Sequence, residues 1–261
     1  MDKREQIARM AQTKEDEILL ARVYERITSA AARNIPAATA FLSKREQMLA
    51  AELLRGQDFA FFGGPAMAER EVCCYVPEYL DESWLTGDEG PIAAVRAVYF
   101  AGDTLTHRDF LGALMGCGIR REAVGDLCLQ PRQCDLFVTA ELAPYLLDNL
   151  TSAGRAHLTL TRIAPSQADR PPQALQELRV TVSSPRLDSV ISAAFHLSRG
   201  SAADAVAAGR VNLNDLTCLK PDRAVQENDT VSVRGLGKLR VLALGGLTKK
   251  GRLALTLGKY L

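Results

Sequence analysis

Apolar positions along this chain change their spacing several times, and each change marks an element. From Asp2 to about Asn34, Ile18, Leu19, Ala21, Val23, Ile27 and Ala30 fall near one face with charges elsewhere, which predicts a helix interrupted at Pro36. Ser43-Lys44-Arg45-Glu46 has the form of a capping box, and Met48, Leu49, Leu53 and Leu54 carry a second amphipathic helix to Gly56. Phe59 to Phe62 then reads as a short strand broken by Gly63-Gly64, and Glu71 to Val76 is strand-like. Beyond Pro91 the periodicity predicts strand Ile92 to Phe100, helix His107 to Gly116, strand Asp126 to Leu129, strand Cys134 to Val138, helix Ala140 to Leu150 and strand Ala156 to Ile163. Thr106 and Thr139 stand where N-caps belong, and Gly118 suits the residue after a helix end.

Ala164 to Pro172 has the composition of a linker, and Leu175 to Val182 reads as a strand. The remaining chain is predicted as helix, helix, turn and strands. Val190, Ile191, Ala194, Phe195 and Leu197 mark the first helix, Ser198 caps a short second one from about Gly200 to Ala208, and Gly209 stands at its stop. Strands follow at Arg210 to Leu213 and Leu216 to Cys218 around Asn214-Asp215, and at Thr230 to Arg234.

This order predicts an α+β chain in three parts: a mainly helical N-terminal subdomain over 1–75, a middle domain over 76–165, and a C-terminal module over 183–261. Strand, helix, strand, strand, helix, strand is the split βαβ order of ferredoxin-like and RNA-recognition (RRM) modules. The latter stack bases on exposed aromatics, whereas here Phe137 stands alone on the third strand, so the sheet is not expected to be a standard stacking platform.

Composition excludes several classes. At 47% hydrophobic and 24% charged residues, the 261-residue chain is ordinary for soluble protein, and no apolar run reaches membrane-spanning length. The charged start Met1-Asp2-Lys3-Arg4-Glu5 lacks the apolar stretch of a secretory signal, which makes the cytoplasm the expected location. Cysteines 73, 74, 117, 128, 134 and 218 fit no disulfide or metal spacing, and histidines 107, 157 and 196 lie far apart, so no metal or other cofactor is expected. The net charge of +1 hides an asymmetry: from Ser183 onward there are 12 Lys and Arg against 6 Asp and Glu, and before it 20 against 25. A basic module on an acidic body is the footprint of a polyanion-binding domain.

Few motifs carry chemistry. Gly63-Gly64 lacks the lysine and spacing of a nucleotide loop and reads as a tight turn. His107-Arg108-Asp109 resembles a kinase catalytic loop only superficially, because Leu114 stands where the metal-binding Asn belongs; Asp109 reads as the capping partner of Thr106. Arg120-Arg121, after two glycines, can reach phosphate or an acidic surface, or pair with Glu122 or Asp126; both readings stand.

Arg186-Leu187-Asp188, Ser198-Arg199, Gly209-Arg210-Val211, Asn214 and Asp229-Thr230-Val231 resemble an S4 (αL-type) RNA-binding domain. Phe62-Gly63-Gly64, Ala68-Glu69-Arg70, Leu105 to Gly112, Gly118 to Glu122, Gly125-Asp126, Ser232 to Lys238 and Thr248 to Arg252 further resemble the YlmH family of bacterial S4-domain proteins. That resemblance implies a ribosome-associated, non-enzymatic role encoded near cell-division genes, with ribosomal RNA and tRNA on the large subunit as partners, in quality control of subunits still carrying peptidyl-tRNA. It places RNA contact on Arg186, Ser198, Arg199, Arg210, Arg234, Lys238 and Arg240; Lys249, Lys250 and Arg252 read as a second basic cluster, and Arg120 and Arg121, from their own setting rather than the resemblance, are a candidate second contact. The sequence departs from the usual pattern at Pro185, at Gly200-Ser201, which lacks a lysine, and at Asp215. A monomer is expected. Two other readings compete: a protein-interaction adaptor in cell division that works through the acidic front, and an RNA-modifying enzyme carrying an S4 module. Against the enzyme, the only Arg-Leu-Asp lies inside the module itself, and Phe62-Gly63-Gly64-Pro65 is too short and too early for a methyl-donor loop.

Overall fold

A computed structural model gives the fold and describes residues 3–65, 68–81, 83–168, 175–248 and 251–260. The chain forms two compact units, Met1–Pro171 and Pro172–Leu261.

The first unit opens with α1 (Lys3–Met10) and α2 (Lys14–Arg33) in place of the single helix expected. Thr13 makes the break: its hydroxyl accepts from Asp16 N at 3.2 Å while the Asp16 carboxylate accepts from Thr13 N at 3.2 Å, a reciprocal cap. Asp16 also takes both ends of the Arg45 guanidinium, at 2.7 and 2.6 Å, and so ties α2 to α3 (Lys44–Leu53). The Arg45 hydrogen bond holds the Asp16 carboxyl well below the usual carboxylate range.

The N-terminal part contains a sheet as well as its helices, and one strand of that sheet has no counterpart in the sequence reading. β1 (Ala37–Leu42), β2 (Ala60–Phe62) and β3 (Glu71–Tyr75) form an antiparallel sheet in the order β1-β3-β2. Ala-Ala-Thr-Ala at the start of β1 has weak strand preference and no alternation, so the strand exists because β3 pairs with it.

After α4 (Ser83–Thr86), β4 (Ile92–Val98), α5 (His107–Gly116), β5 (Val124–Gln130), β6 (Gln133–Thr139), α6 (Ala143–Asn149), the small pair β7 (Ser152–Ala153) and β8 (Ala156–His157), and β9 (Thr159–Ile163) follow. The larger strands make an antiparallel sheet in the order β5-β6-β4-β9. Strand alternation sends Val95, Ala97, Leu136 and Val138 to one face, where Phe110 and Leu114 of α5 and Leu146 of α6 cover them. The opposite face carries Ile92, Ala94 and Phe137, and these pack on Phe41 of β1 and Val72 and Cys74 of β3. Both faces of the middle sheet are therefore covered by the unit's own chain.

Glycines set how closely the two sheets approach. A Cβ on Gly125 would lie 2.6 Å from the Phe41 ring, and one on Gly64, which has φ +94°, would lie 2.3 Å from the Phe137 ring. Arg70 ties the joint: it donates from Nε to Val124 O and from a terminal nitrogen to Phe41 O, each at 2.9 Å, while Asp126 accepts from Glu69 N and Arg70 N at 2.8 and 3.0 Å. The motif pieces at 62–64, 68–70 and 125–126 thus form one structural joint, apart from Ala66 and Met67, which lie outside the described residues.

Cys73, Cys74, Cys128 and Cys134 are buried in these cores, whereas Cys117 and Cys218 are part-exposed. Burial alone pushes the Cys73 thiol up to about 12. Brief treatment of the native protein with iodoacetamide is expected to modify Cys117 and Cys218 and spare the other four, as read by peptide mass spectrometry.

The second unit contains β10 (Leu175–Val182), α7 (Leu187–Phe195), α8 (Arg199–Ala207), β11 (Val211–Leu213), β12 (Leu216–Thr217), β13 (Thr230–Val233), β14 (Gly237–Leu247) and β15 (Leu253–Tyr260). The strands form one sheet in the order β10-β15-β14-β13-β11-β12. Leu187, Val190 and Ile191 of α7 and Ala202 and Val206 of α8 pack on Val211, Val231, Leu239, Val241 and Leu257. Asn214 and Asp215 both have positive φ, 51° and 62°, and close the β11–β12 turn as the sequence predicts. β14 and β15 are not legible in the sequence, because Gly245-Gly246, Gly251 and Gly258 break the alternation. Gly258 is required where Leu175 crosses: a Cβ there would lie 2.9 Å from its side chain.

Candidate nucleic-acid interface

The expected contact residues of the second unit fall into two groups. The first is built on the start of α7. Leu187 N and Asp188 N donate to Arg223 O and Pro221 O at 2.8 and 3.0 Å, so this helix end is closed by the loop before β13. Asp188 is 3% exposed and is the centre of a charge cluster. Arg186 donates to its two oxygens at 3.2 and 3.0 Å, Arg199 donates to one of them at 3.4 Å, and Ser189 Oγ donates at 3.1 Å. Burial by itself pushes the Asp188 carboxyl up, but the Arg186 and Ser189 hydrogen bonds and the charges of both arginines outweigh it, and the group is held below its ordinary range. Asp188 stays ionised and fixes two guanidiniums whose side chains remain 39% and 54% exposed. From the first turn of α7, Asp188 thus positions both arginines.

Ser198, at the start of α8, accepts from Ser201 N at 3.0 Å, so its hydroxyl is engaged in capping beside Arg199. Ser201 also exchanges a hydrogen bond with Ser198 Oγ at 2.8 Å, which is where the sequence departs from the usual lysine.

The second group lies on the sheet. Asn212 pairs with Ser232, and Ser232 with Lys238, across β11, β13 and β14. Because Val211, Val231, Val233 and Leu239 point into the core, alternation turns Asn212, Ser232 and Lys238 outward. Arg234 N donates to Arg210 O at 2.9 Å, which brings these two residues side by side. The result is an open groove of about 620 Å³ lined by Arg210, Asn212, Ser232, Arg234 and Lys238, with Gly209, Gly235 and Gly237 at its turns. Lys238 lies 3.8 Å from Asp215 and 5.4 Å from the Tyr260 ring centre. The sequence reading missed Asn212 and Ser232; their two-residue offsets from Arg210 and Arg234 are the signal that finds them.

The other predicted residues are dispersed. Arg240 donates to Asn228 Oδ1 at 3.0 Å, and Arg252 donates to Thr181 O at 2.6 Å. Lys249 and Lys250 lie outside the described residues. In the first unit, Arg120 is exposed and meets Glu122 at 3.3 Å, whereas Arg121 turns onto Val124 O and Gly125 O at 2.5 and 3.4 Å. Asp109 accepts from Thr106 N and Oγ1 at 2.8 and 2.6 Å, and His107 Nε2 lies 2.9 Å from Leu127 O. Among the described residues no group of three His, Cys, Asp or Glu side chains is placed to hold a metal.

Residues 98–167 match the family model described as a putative RNA-binding domain in YlmH. Over 220 residues the chain is 32% identical to ribosome-associated protein quality control protein P2 of Bacillus subtilis (strain 168), covering 84% of this chain and 85% of that protein. The chain belongs to the YlmH family. A solved structure, cell division protein ylmH from Streptococcus pneumoniae, is also similar, at 17% identity and a TM-score of 0.49, covering 61% of this chain and 98% of that one. In this YlmH-family chain the span of the domain model runs from the end of β4 to the turn after β9 and contains Arg120 and Arg121; both basic groups of the second unit lie beyond it.

Proposed function

We propose that this YlmH-family chain is a non-enzymatic, cytoplasmic RNA-binding factor that acts as a monomer on the ribosome. Its second unit serves as an S4 domain that grips the backbone of ribosomal RNA or tRNA on the large subunit, in quality control of subunits that still carry peptidyl-tRNA. The observation that carries the reading is the buried Asp188, which holds Arg186 and Arg199 side by side with their outer donors free to meet phosphate. The naming of the Bacillus subtilis relative as a ribosome-associated quality control protein supports the setting, and the description of residues 98–167 as a putative RNA-binding domain supports RNA as the ligand class. No helix among the described residues is long and apolar enough to cross a membrane.

The middle domain is an RRM-like module in this proposal, by its strand order β5-β6-β4-β9. It does not stack bases, because the face that carries Phe137 is packed against β1 and β3. Recognition therefore rests on phosphates and on the shape of folded RNA. Equilibrium binding of the chain to structured large-subunit RNA across a salt series tests the reading: affinity falls steeply as salt rises, and affinity that is insensitive to salt sinks it.

A further inference from the structure

The first unit is acidic overall, yet it contains a long cleft of about 1110 Å³ lined by five arginines and four glutamates. The cleft runs between α2 and β1 and ends at the turn before β5. Arg22, Arg26 and Arg33 stand along the α2 wall, are exposed, and form no ion pair among the described residues. Arg121 closes the far end, beside Arg70, and among the described residues donates to the backbone carbonyls of Val124 and Gly125. Of the carboxylates on the same cleft, Glu46 accepts from Ser43 N at 2.6 Å and Glu122 faces Arg120, which leaves Glu15 and Glu25 along α2 against Arg22, Arg26, Arg33 and Arg121.

Two further observations narrow the occupant. Ile18 and Ile35, at the rim, are 46% and 43% exposed, and the floor beside them is made of the small residues Ala37, Ala38 and Ala40. A nucleic-acid backbone leaves such side chains uncovered, whereas an amphipathic peptide buries them. The outward carbonyls of β1 are already engaged: Ala38 O by Arg26 at 3.2 Å, Ala40 O by the Thr39 hydroxyl at 2.8 Å, and Phe41 O by Arg70 at 2.9 Å. An added strand would compete with these contacts, which favours a helix lying in the groove as the mode of binding.

We propose that the cleft between α2 and β1 is a docking groove for an acidic, amphipathic helical segment of a partner protein. Its apolar face covers Ile18 and Ile35, and its carboxylates meet Arg22, Arg26, Arg33 and Arg121. Apart from Arg121, the groove shares no residue with the RNA contacts on the second unit or at Arg120, and its test does not depend on them.

Selection of displayed random peptides of about 16 residues, long enough for about four helical turns, against the full chain tests the proposal. Enriched peptides are expected to interleave Asp and Glu with Leu, Ile or Phe at helical spacing. The Arg22→Glu/Arg26→Glu/Arg33→Glu variant, which gives up the Arg26 bond to Ala38 O, is expected to stay folded with a somewhat lower thermal midpoint and to lose roughly tenfold or more in affinity for those peptides. The Arg186→Gln/Arg199→Gln variant is expected to bind them as the wild type does. Failure to enrich such peptides, or equal affinity for the charge-reversed variant, overturns the groove. A single-stranded RNA that binds with the same dependence on Arg22, Arg26 and Arg33, and displaces the peptides, overturns the protein partner in favour of a nucleic acid.

Discussion

Replacement of Arg186 and Arg199 together by glutamine is expected to lower affinity for structured ribosomal RNA by roughly thirty- to a hundredfold at moderate salt. Each lost phosphate contact removes part of the counterion release that drives binding, so the plot of log affinity against log salt is expected to flatten by roughly 1.4 to 1.8. Glutamine is the informative substitution because Asp188 is 3% exposed and depends on these two side chains. An amide can still donate to it without carrying charge. Alanine at both positions leaves Ser189 as the remaining side-chain donor and is expected to cost about 1–3 kcal/mol of stability as well, a figure kept low because both guanidiniums are substantially solvated. A filter-binding titration beside a urea melt separates the two effects. Unchanged RNA affinity in the folded glutamine variant removes the Asp188 cluster from the interface.

Phe137→Ala is expected to have the largest effect on stability and none on RNA affinity. The ring is fully buried between the middle sheet and the N-terminal one, in the same cluster as Phe41, Val72, Ile92 and Ala94. Its removal leaves a cavity that the two sheets cannot close without moving Arg70 and Asp126, so the cost is about 3–5 kcal/mol. For a unit of this size that lowers the thermal midpoint by roughly 10 °C. Calorimetry reads the shift, and RNA binding below the transition is expected to match the wild type. A folded variant with normal stability and weakened RNA binding would mean that the ring is an exposed base contact, contrary to its packing.

What the sequence showed of this fold was mostly local. Thr106 with Asp109, Ser43 with Glu46, Ser198 before α8 and the Asn214-Asp215 turn each depend on residues within a few positions, and each stands as read. The break at Thr13 was also local, but its partner at the third helical position is Asp16, outside the usual Glu or Gln pattern, so one helix was read where two exist. The joint between the sheets was not legible. Arg70 meets Val124 across 54 positions, and β1 has too little strand character to announce that it covers Phe137.

The candidate interface divides in the same way. Arg186 and Arg199 were found by their motif, but the feature that unites them is the burial of Asp188, which no spacing reveals. Arg210, Arg234 and Lys238 do come together, joined by Asn212 and Ser232, because three neighbouring strands bring their outward positions into register. Arg121 shows the limit of a motif: two adjacent arginines look alike in sequence, yet one is exposed beside Glu122 and the other folds onto backbone carbonyls.

Whether the Asp188 cluster is the surface by which this chain holds the ribosome is decided by co-sedimentation with purified large subunits, with and without bound tRNA, over a salt series. The wild type is expected to bind in a salt-sensitive way and to prefer tRNA-bearing subunits, and the Arg186→Gln/Arg199→Gln variant to lose binding. Equal sedimentation of the folded variant and the wild type, or binding that does not change with salt, would contradict that role for the cluster.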